Sequence, residues 1–148
     1  MIRINKLTDY GIIIAVRIAS DEPGRLHSAR EIAAATRIPP PTVTRLLKQL
    51  ARSGILASTR GASGGYALAQ PPKAITVARL VEALEGPIAL TECSEAVCGC
   101  ALEEDCVVEA PWQTISLAVR GALESVTLAD MARPSLAPPL VSLGGVKA

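Results

Sequence analysis

Phenylalanine does not occur in this sequence, and its aromatic residues are Tyr10, Tyr66 and Trp112 alone. A core without aromatic bulk has to be built from Ile, Leu, Val and Ala, a composition that favours helices. Long hydrophobic runs are missing as well. The longest near the N-terminus, Gly11 to Val16, falls far short of the ~20 apolar residues that span a bilayer. Asp9 before it and Arg17 after it do not read as a signal peptide. The expectation is a cytoplasmic chain with no membrane partner. At 148 residues there is room for one compact domain or a small domain with an appendage.

Charge of one sign is also absent over long stretches. Between Ile32 and Val81 there is no acidic residue, whereas Arg37, Arg45, Lys48, Arg52, Arg60, Lys73 and Arg79 are all basic. From Leu80 to Val119 the pattern inverts: no Lys or Arg, but Glu82, Glu85, Glu92, Glu95, Glu103, Glu104, Asp105 and Glu109. The net charge of +1 conceals this segregation. One half is suited to a polyanion, and the other to repelling one or to surrounding a cation-containing site.

What is present divides into short amphipathic elements. Thr8 can cap a first helix to about Ala19, with Ile12, Ile13, Val16 and Ile18 available for burial. Ser28-Ala29-Arg30-Glu31 has the form of a capping box, predicting a second helix to about Thr36. Ile38-Pro39-Pro40-Pro41 forces a turn, because prolines suit a helix start but not its interior. A third helix follows, with Val43, Leu46, Leu47 and Leu50 as its buried stripe. ILAST and YALAQ flank RGASGG and read as a hairpin with a glycine-rich tip. Thr76 caps a fourth helix that Gly86-Pro87 stops. Pro111 suits the first position of a long final helix, whose stripe is Ile115, Ala118, Val119, Ala122, Leu123 and Val126. The tail from Arg133 has no period and reads as disordered.

Helix, tight turn, basic helix and glycine-tipped hairpin is the order of a winged helix-turn-helix. The fold expected is mainly α with a small β-hairpin wing and a long C-terminal dimerisation helix. On the third helix Thr42, Thr44 and Gln49 could address base edges, while Arg45, Lys48 and Arg52 could address phosphates or guanine. Arg60 would enter from the wing. The competing reading is a packing helix with a solvated basic face. The long helix has little to pack on in so small a domain, which points to its own copy in a homodimer. The double-stranded DNA operator and that second copy are the partners expected, with no small-molecule substrate.

All four cysteines, Cys93, Cys98, Cys100 and Cys106, lie in the acidic stretch TECSEAVCGCALEEDC. In a reducing compartment clustered thiols more often hold metal than pair. Zinc sites usually build on Cys-x2-Cys knuckles, which these gaps do not form. Loosely spaced loop cysteines suit an iron–sulfur cluster better, while zinc and a Cys98–Cys100 redox pair stay open. A thiol-disulfide enzyme is disfavoured because no Cys-x-x-Cys or nearby general base appears. The lone histidine, His27, is most simply a surface loop residue.

KLTDYG, IPPPTVTRLLKQLARSGIL, TRGASGGYALAQPP and ITVARLVEALEGPIALTEC together resemble the Rrf-type, IscR/NsrR-like family of winged-helix iron–sulfur regulators. GPIALTEC, WQTIS and SVTLADMA are most similar to its branch regulating SUF-type iron–sulfur assembly. The resemblance covers about residues 1–132. It implies a homodimeric transcription factor, usually a repressor, whose DNA binding responds to a two-iron or four-iron cluster. The family pattern it implies is three near-regularly spaced cysteines and a fourth ligand that is not cysteine. Cys93, Cys100 and Cys106 fit best, with Cys98 extra. Glu109 takes the place where relatives carry a histidine, and Asp9 of the partner subunit is the rival ligand. The organisation expected is a DNA-binding domain over 1–86, a cluster loop over 87–109, a dimerisation helix and return over 110–132, and a tail over 133–148. A zinc-stabilised or thiol-redox DNA-binding regulator without a cluster is the alternative.

Overall fold

The computed structural model describes residues 3–91 and 107–133. Among these residues six α-helices and one hairpin follow in the order α1 Lys6–Ala19, α2 Ala29–Thr36, α3 Pro40–Arg52, β1 Leu56–Thr59, β2 Gly65–Leu68, α4 Val77–Glu85, α5 Glu109–Glu124 and α6 Leu128–Ala132. A 3-10 turn over Pro72–Ala74 links the hairpin to α4. Among the described residues no helix is long and apolar enough to cross a membrane.

The first helix starts earlier than its sequence suggests. Asn5, not Thr8, is the N-cap, its side chain accepting from the Leu7 amide. Thr8 lies inside the helix and is buried. A threonine two residues into a helix satisfies the same local pattern as a cap, and only the packing of α1 tells the two apart. In α2 the Ser28 oxygen accepts from the Glu31 amide at 3.1 Å, as a cap should. The Glu31 carboxylate, however, turns to Arg25 rather than closing the box.

The turn into α3 is sharp because Arg37 adopts the left-handed region, φ 58°. Pro40 and Pro41 then occupy the first two helical positions, where a missing N–H breaks no ladder bond. Val43, Leu46, Leu47 and Leu50 are all buried in a single aliphatic core with Ile12, Ile14, Ile18, Ile32, Ile55, Ile75 and Leu80. Each such side chain contributes roughly 1.5–3 kcal/mol on leaving water.

The hairpin is antiparallel, with Leu56 opposite Leu68 and Thr59 opposite Gly65. Gly64 is obligatory at its tip, since a Cβ there would lie 2.2 Å from the Thr59 carbonyl oxygen. His27 corrects the expectation of a surface residue. It is 1% exposed, and its amide and carbonyl both pair with Tyr66 of β2 at 2.9 Å. That pairing joins residues far apart in sequence, so a polar loop gave no sign of it. The imidazole faces Asp21 at 3.7 Å and Glu31 at 3.8 Å.

The long helix begins at Glu109, and Pro111 is its third residue, still within the first turn where proline is tolerated. After it the chain returns: Thr127 caps α6 with a reciprocal Asp130 box, and the Leu128 amide donates to the Ile75 carbonyl at 2.8 Å. The tail from residue 134 lies outside the described residues.

Two carboxylates are held below their ordinary value of 3.8, Asp21 by the Arg17 hydrogen bond first, Asp130 by the Thr127 hydroxyl first. A depressed carboxyl stabilises the fold above its unfolded pKa, and that stability is lost as pH falls through the folded value. Thermal stability is therefore expected to fall below about pH 4, and Asp130→Asn to flatten that fall. An acid limb unchanged in Asp130→Asn and in Asp21→Asn would show that these pairs do not set it.

Candidate nucleic-acid interface

The core stripe of α3 dictates what its opposite face presents. With Val43, Leu46, Leu47 and Leu50 inward, Pro41, Thr44, Arg45, Lys48 and Arg52 line one shallow groove on the outer side. Arg45, Lys48 and Arg52 are exposed, and Arg60 is exposed at the start of the hairpin tip. Among the described residues none of these four cations is paired with a carboxylate. Thr44 donates its hydroxyl proton to the Pro40 carbonyl at 3.0 Å, leaving the oxygen as an acceptor. Thr42 is half-buried at the N-terminal end of the same helix.

Gln49 does not belong to this face. Its Nε2 donates to the carbonyls of Ala83 at 3.1 Å and Leu84 at 2.9 Å, in the last turn of α4. The last carbonyls of a helix have no intrahelical donor, so a side-chain amide within reach is drawn to them. Helical spacing alone puts Gln49 on the polar side of α3. The position lies at the edge of the apolar stripe, and α4 covers that edge.

Of the residues considered as metal ligands, Cys93, Cys98, Cys100 and Cys106 lie outside the described residues. Glu109 opens α5, its Oε1 accepting from Gln113 Nε2 at 2.8 Å. Asp9 is exposed on the first turn of α1. Among the described residues no group of His, Cys, Asp and Glu gathers as a metal site.

The expected stripe of α5 divides in two. Leu123 and Val126 pack against the core, and Ser116 is buried, its Oγ accepting from the Leu90 amide at 3.3 Å. Ile115 is 44% exposed, and Trp112, Ala118 and Ala122 are exposed with it. Arg120 reaches Glu82 of α4 at 3.1 Å and Glu124 at 2.9 Å. No local pattern announces the Arg120–Glu82 link, because it joins residues on two different helices.

A basic, unpaired face on the second helix of a helix-turn-helix, followed by a glycine-tipped hairpin, defines a winged helix-turn-helix DNA-binding protein. Residues 4–134 match the Rrf2 family, described as an iron-dependent transcriptional regulator, and the chain belongs to that family. It is 32% identical over 123 residues to the HTH-type transcriptional regulator CymR of Bacillus subtilis strain 168, across 83% of this chain and 84% of that protein. The solved structure of CymR, described as the global cysteine regulator of B. subtilis, is similar with a TM-score of 0.70 at 30% identity, covering 89% of this chain and 97% of CymR. IscR from T. potens is similar with a TM-score of 0.68 at 27% identity, over 88% of this chain and 85% of that one. The chain is thus a transcriptional regulator rather than an enzyme.

Proposed function

We propose that this regulator is a homodimeric repressor of iron–sulfur assembly genes that senses cluster status through its own iron–sulfur cluster. The observation that carries its DNA-binding part is the groove of Thr44, Arg45, Lys48 and Arg52, a cationic strip with no paired carboxylate among the described residues. Thr42 and Thr44 read base edges, Arg45, Lys48 and Arg52 hold phosphates or guanine, and Arg60 enters the minor groove from the wing. The recognition unit is residues 1–86, the cluster loop 87–109, and α5 with its return supplies the dimer contact.

Cys93, Cys100 and Cys106 hold the cluster, and Glu109 or Asp9 of the partner subunit completes it. The donor set suits this group: three thiolates leave one iron for a carboxylate, and Glu109 sits in the first turn of α5, where a helix's positive end favours negative charge. Bound there, the cluster supplies a group that oxidative stress can remove. An oxygen ligand exchanges more readily than sulfur, which suits such removal. The likeness to CymR favours one other reading, a thiol-responsive regulator of cysteine metabolism without a cluster.

Anaerobic purification with iron, sulfide and visible-absorption assays separates these readings. Cys93→Ala, Cys100→Ala and Cys106→Ala should each lose the chromophore, whereas Cys98→Ala should largely keep it. Glu109→Ala or Asp9→Ala should form a cluster that decays faster in air. A colourless or zinc-containing wild type would sink the cluster reading, and loss of the chromophore in Cys98→Ala alone would overturn the ligand set.

A further inference from the structure

We infer that Gln49 is a positioning residue, a strut that ties the recognition helix α3 to the C-terminal turn of α4 and so makes the seating of α3 depend on α5. The inference rests on the DNA-binding reading of α3 given above, but not on the cluster.

Four contacts meet at that one turn of α4. Gln49 of α3 donates to the carbonyls of Ala83 and Leu84. Both Nε2 protons are thereby occupied, which removes Gln49 as a donor to a base edge or a phosphate. The Glu82 carboxylate pairs with Arg120 of α5 at 3.1 Å. Glu85 Oε1 accepts from the Asn5 amide at the start of α1 at 2.9 Å. Leu84 lies so close to Gly11 of α1 that a Cβ on that glycine would come within 2.5 Å of its Cδ1. The turn is therefore held from α1, α3 and α5 at once.

The same turn opens the connection to the cysteine-bearing stretch. The Leu90 amide docks on Ser116 of α5, and α5 begins just past Cys106. Leu90, before the cysteine-bearing stretch, is thus tied to α5, and among the described residues Gln49 is the side chain that hydrogen-bonds this turn of α4 to the DNA-facing helix. A shift of α5 relative to α4 reaches α3 through two hydrogen bonds to main-chain oxygens, which a side-chain rotation on α4 cannot release. The physical warrant is this contiguous set of contacts, and the coupling it predicts is measurable as non-additivity.

The test uses the full chain and a duplex that the wild type selects from a randomised library. Affinity is measured against salt and against every single base-pair substitution of that duplex, with the thermal midpoint recorded for each variant. Gln49→Leu, which keeps the bulk and loses the donors, should bind about tenfold more weakly, a change of about 1.4 kcal/mol. Its salt slope and its order of base preferences should match the wild type, because no phosphate or base contact is removed. Arg120→Gln leaves the core intact and should cost about two- to fivefold, as expected of an exposed ion pair. The double variant should lose less than the product of the two. A preference relaxed at one base pair, a salt slope lower by about one unit, or an affinity equal to wild type in Gln49→Leu would overturn the inference. So would strictly multiplicative losses in the double variant, which also decides the matter if Gln49→Leu alters the thermal midpoint. If the wild type enriches no duplex at all, it is the DNA-binding reading that fails.

Discussion

Ile115→Glu is expected to turn a dimer into a monomer and to lower operator affinity on the order of a thousandfold, the gain that two linked half-site contacts have over one. The reason lies in α5. It runs for 16 residues, about 24 Å at 1.5 Å per residue, yet Ser116 is its only fully buried side chain. A helix of that length is marginal in water unless an apolar face is covered. Its own chain covers the side carrying Ser116, Val119 and Leu123. Ile115, Ala118 and Ala122 follow at three- and four-residue intervals along the neighbouring edge, and all three are exposed, with Trp112 exposed at the N-terminal end of the helix. The edge is apolar, with small residues that allow a second helix to come close, so a second copy is its natural cover. A glutamate at its centre would be buried without a partner, which costs several kcal/mol. Leu117, 67% exposed, lies off this edge, and Leu117→Glu should leave the dimer intact. Sedimentation of both variants checks the assignment: a dimer that survives Ile115→Glu, or dissociates with Leu117→Glu, places the interface elsewhere.

Val119 and Leu123 show where reading from sequence stops. Periodicity identifies them as part of one apolar stripe; Leu123 packs against the chain's own core, and Val119 is half-buried. A stripe wider than one contact can serve two surfaces, and spacing does not say where one ends. The elements themselves are legible because their signals are local. Val43, Leu46, Leu47 and Leu50 state the face of α3, and Thr76 with Gly86 states the limits of α4. His27 and Gln49 are misleading for the opposite reason. Each is a polar residue in a polar neighbourhood whose environment comes from a strand or helix end tens of residues away. Burial of Thr8 belongs with them: it has the residue type of a cap, yet it lies inside the helix that Asn5 caps. The basic groove is legible as charge in the sequence itself, since an acid-free stretch of fifty residues leaves its cations nothing nearby in the chain to pair with.

That unpaired charge leads to the second large effect. Arg45→Ala combined with Lys48→Ala should weaken operator binding about a hundredfold at moderate salt, roughly tenfold for each cation removed from its contact. The two side chains lie one turn apart on the same exposed face of α3, so a single duplex can meet both. Each phosphate neutralised by a protein cation releases condensed counterions, and the logarithm of affinity falls with the logarithm of salt by about 0.9 for each. If both side chains hold phosphates, the double variant's slope should be shallower by about two units, and its loss should be the same for every sequence. If Arg45 instead grips a guanine edge, the slope should change by less, and discrimination should collapse at one base pair. Arg60→Ala should add its loss independently, because the hairpin tip and α3 reach different parts of the duplex. Affinities of the single, double and triple variants across a salt series decide among these outcomes. If all of them bind as the wild type does, with an unchanged slope, the DNA-facing surface is not the outer face of α3.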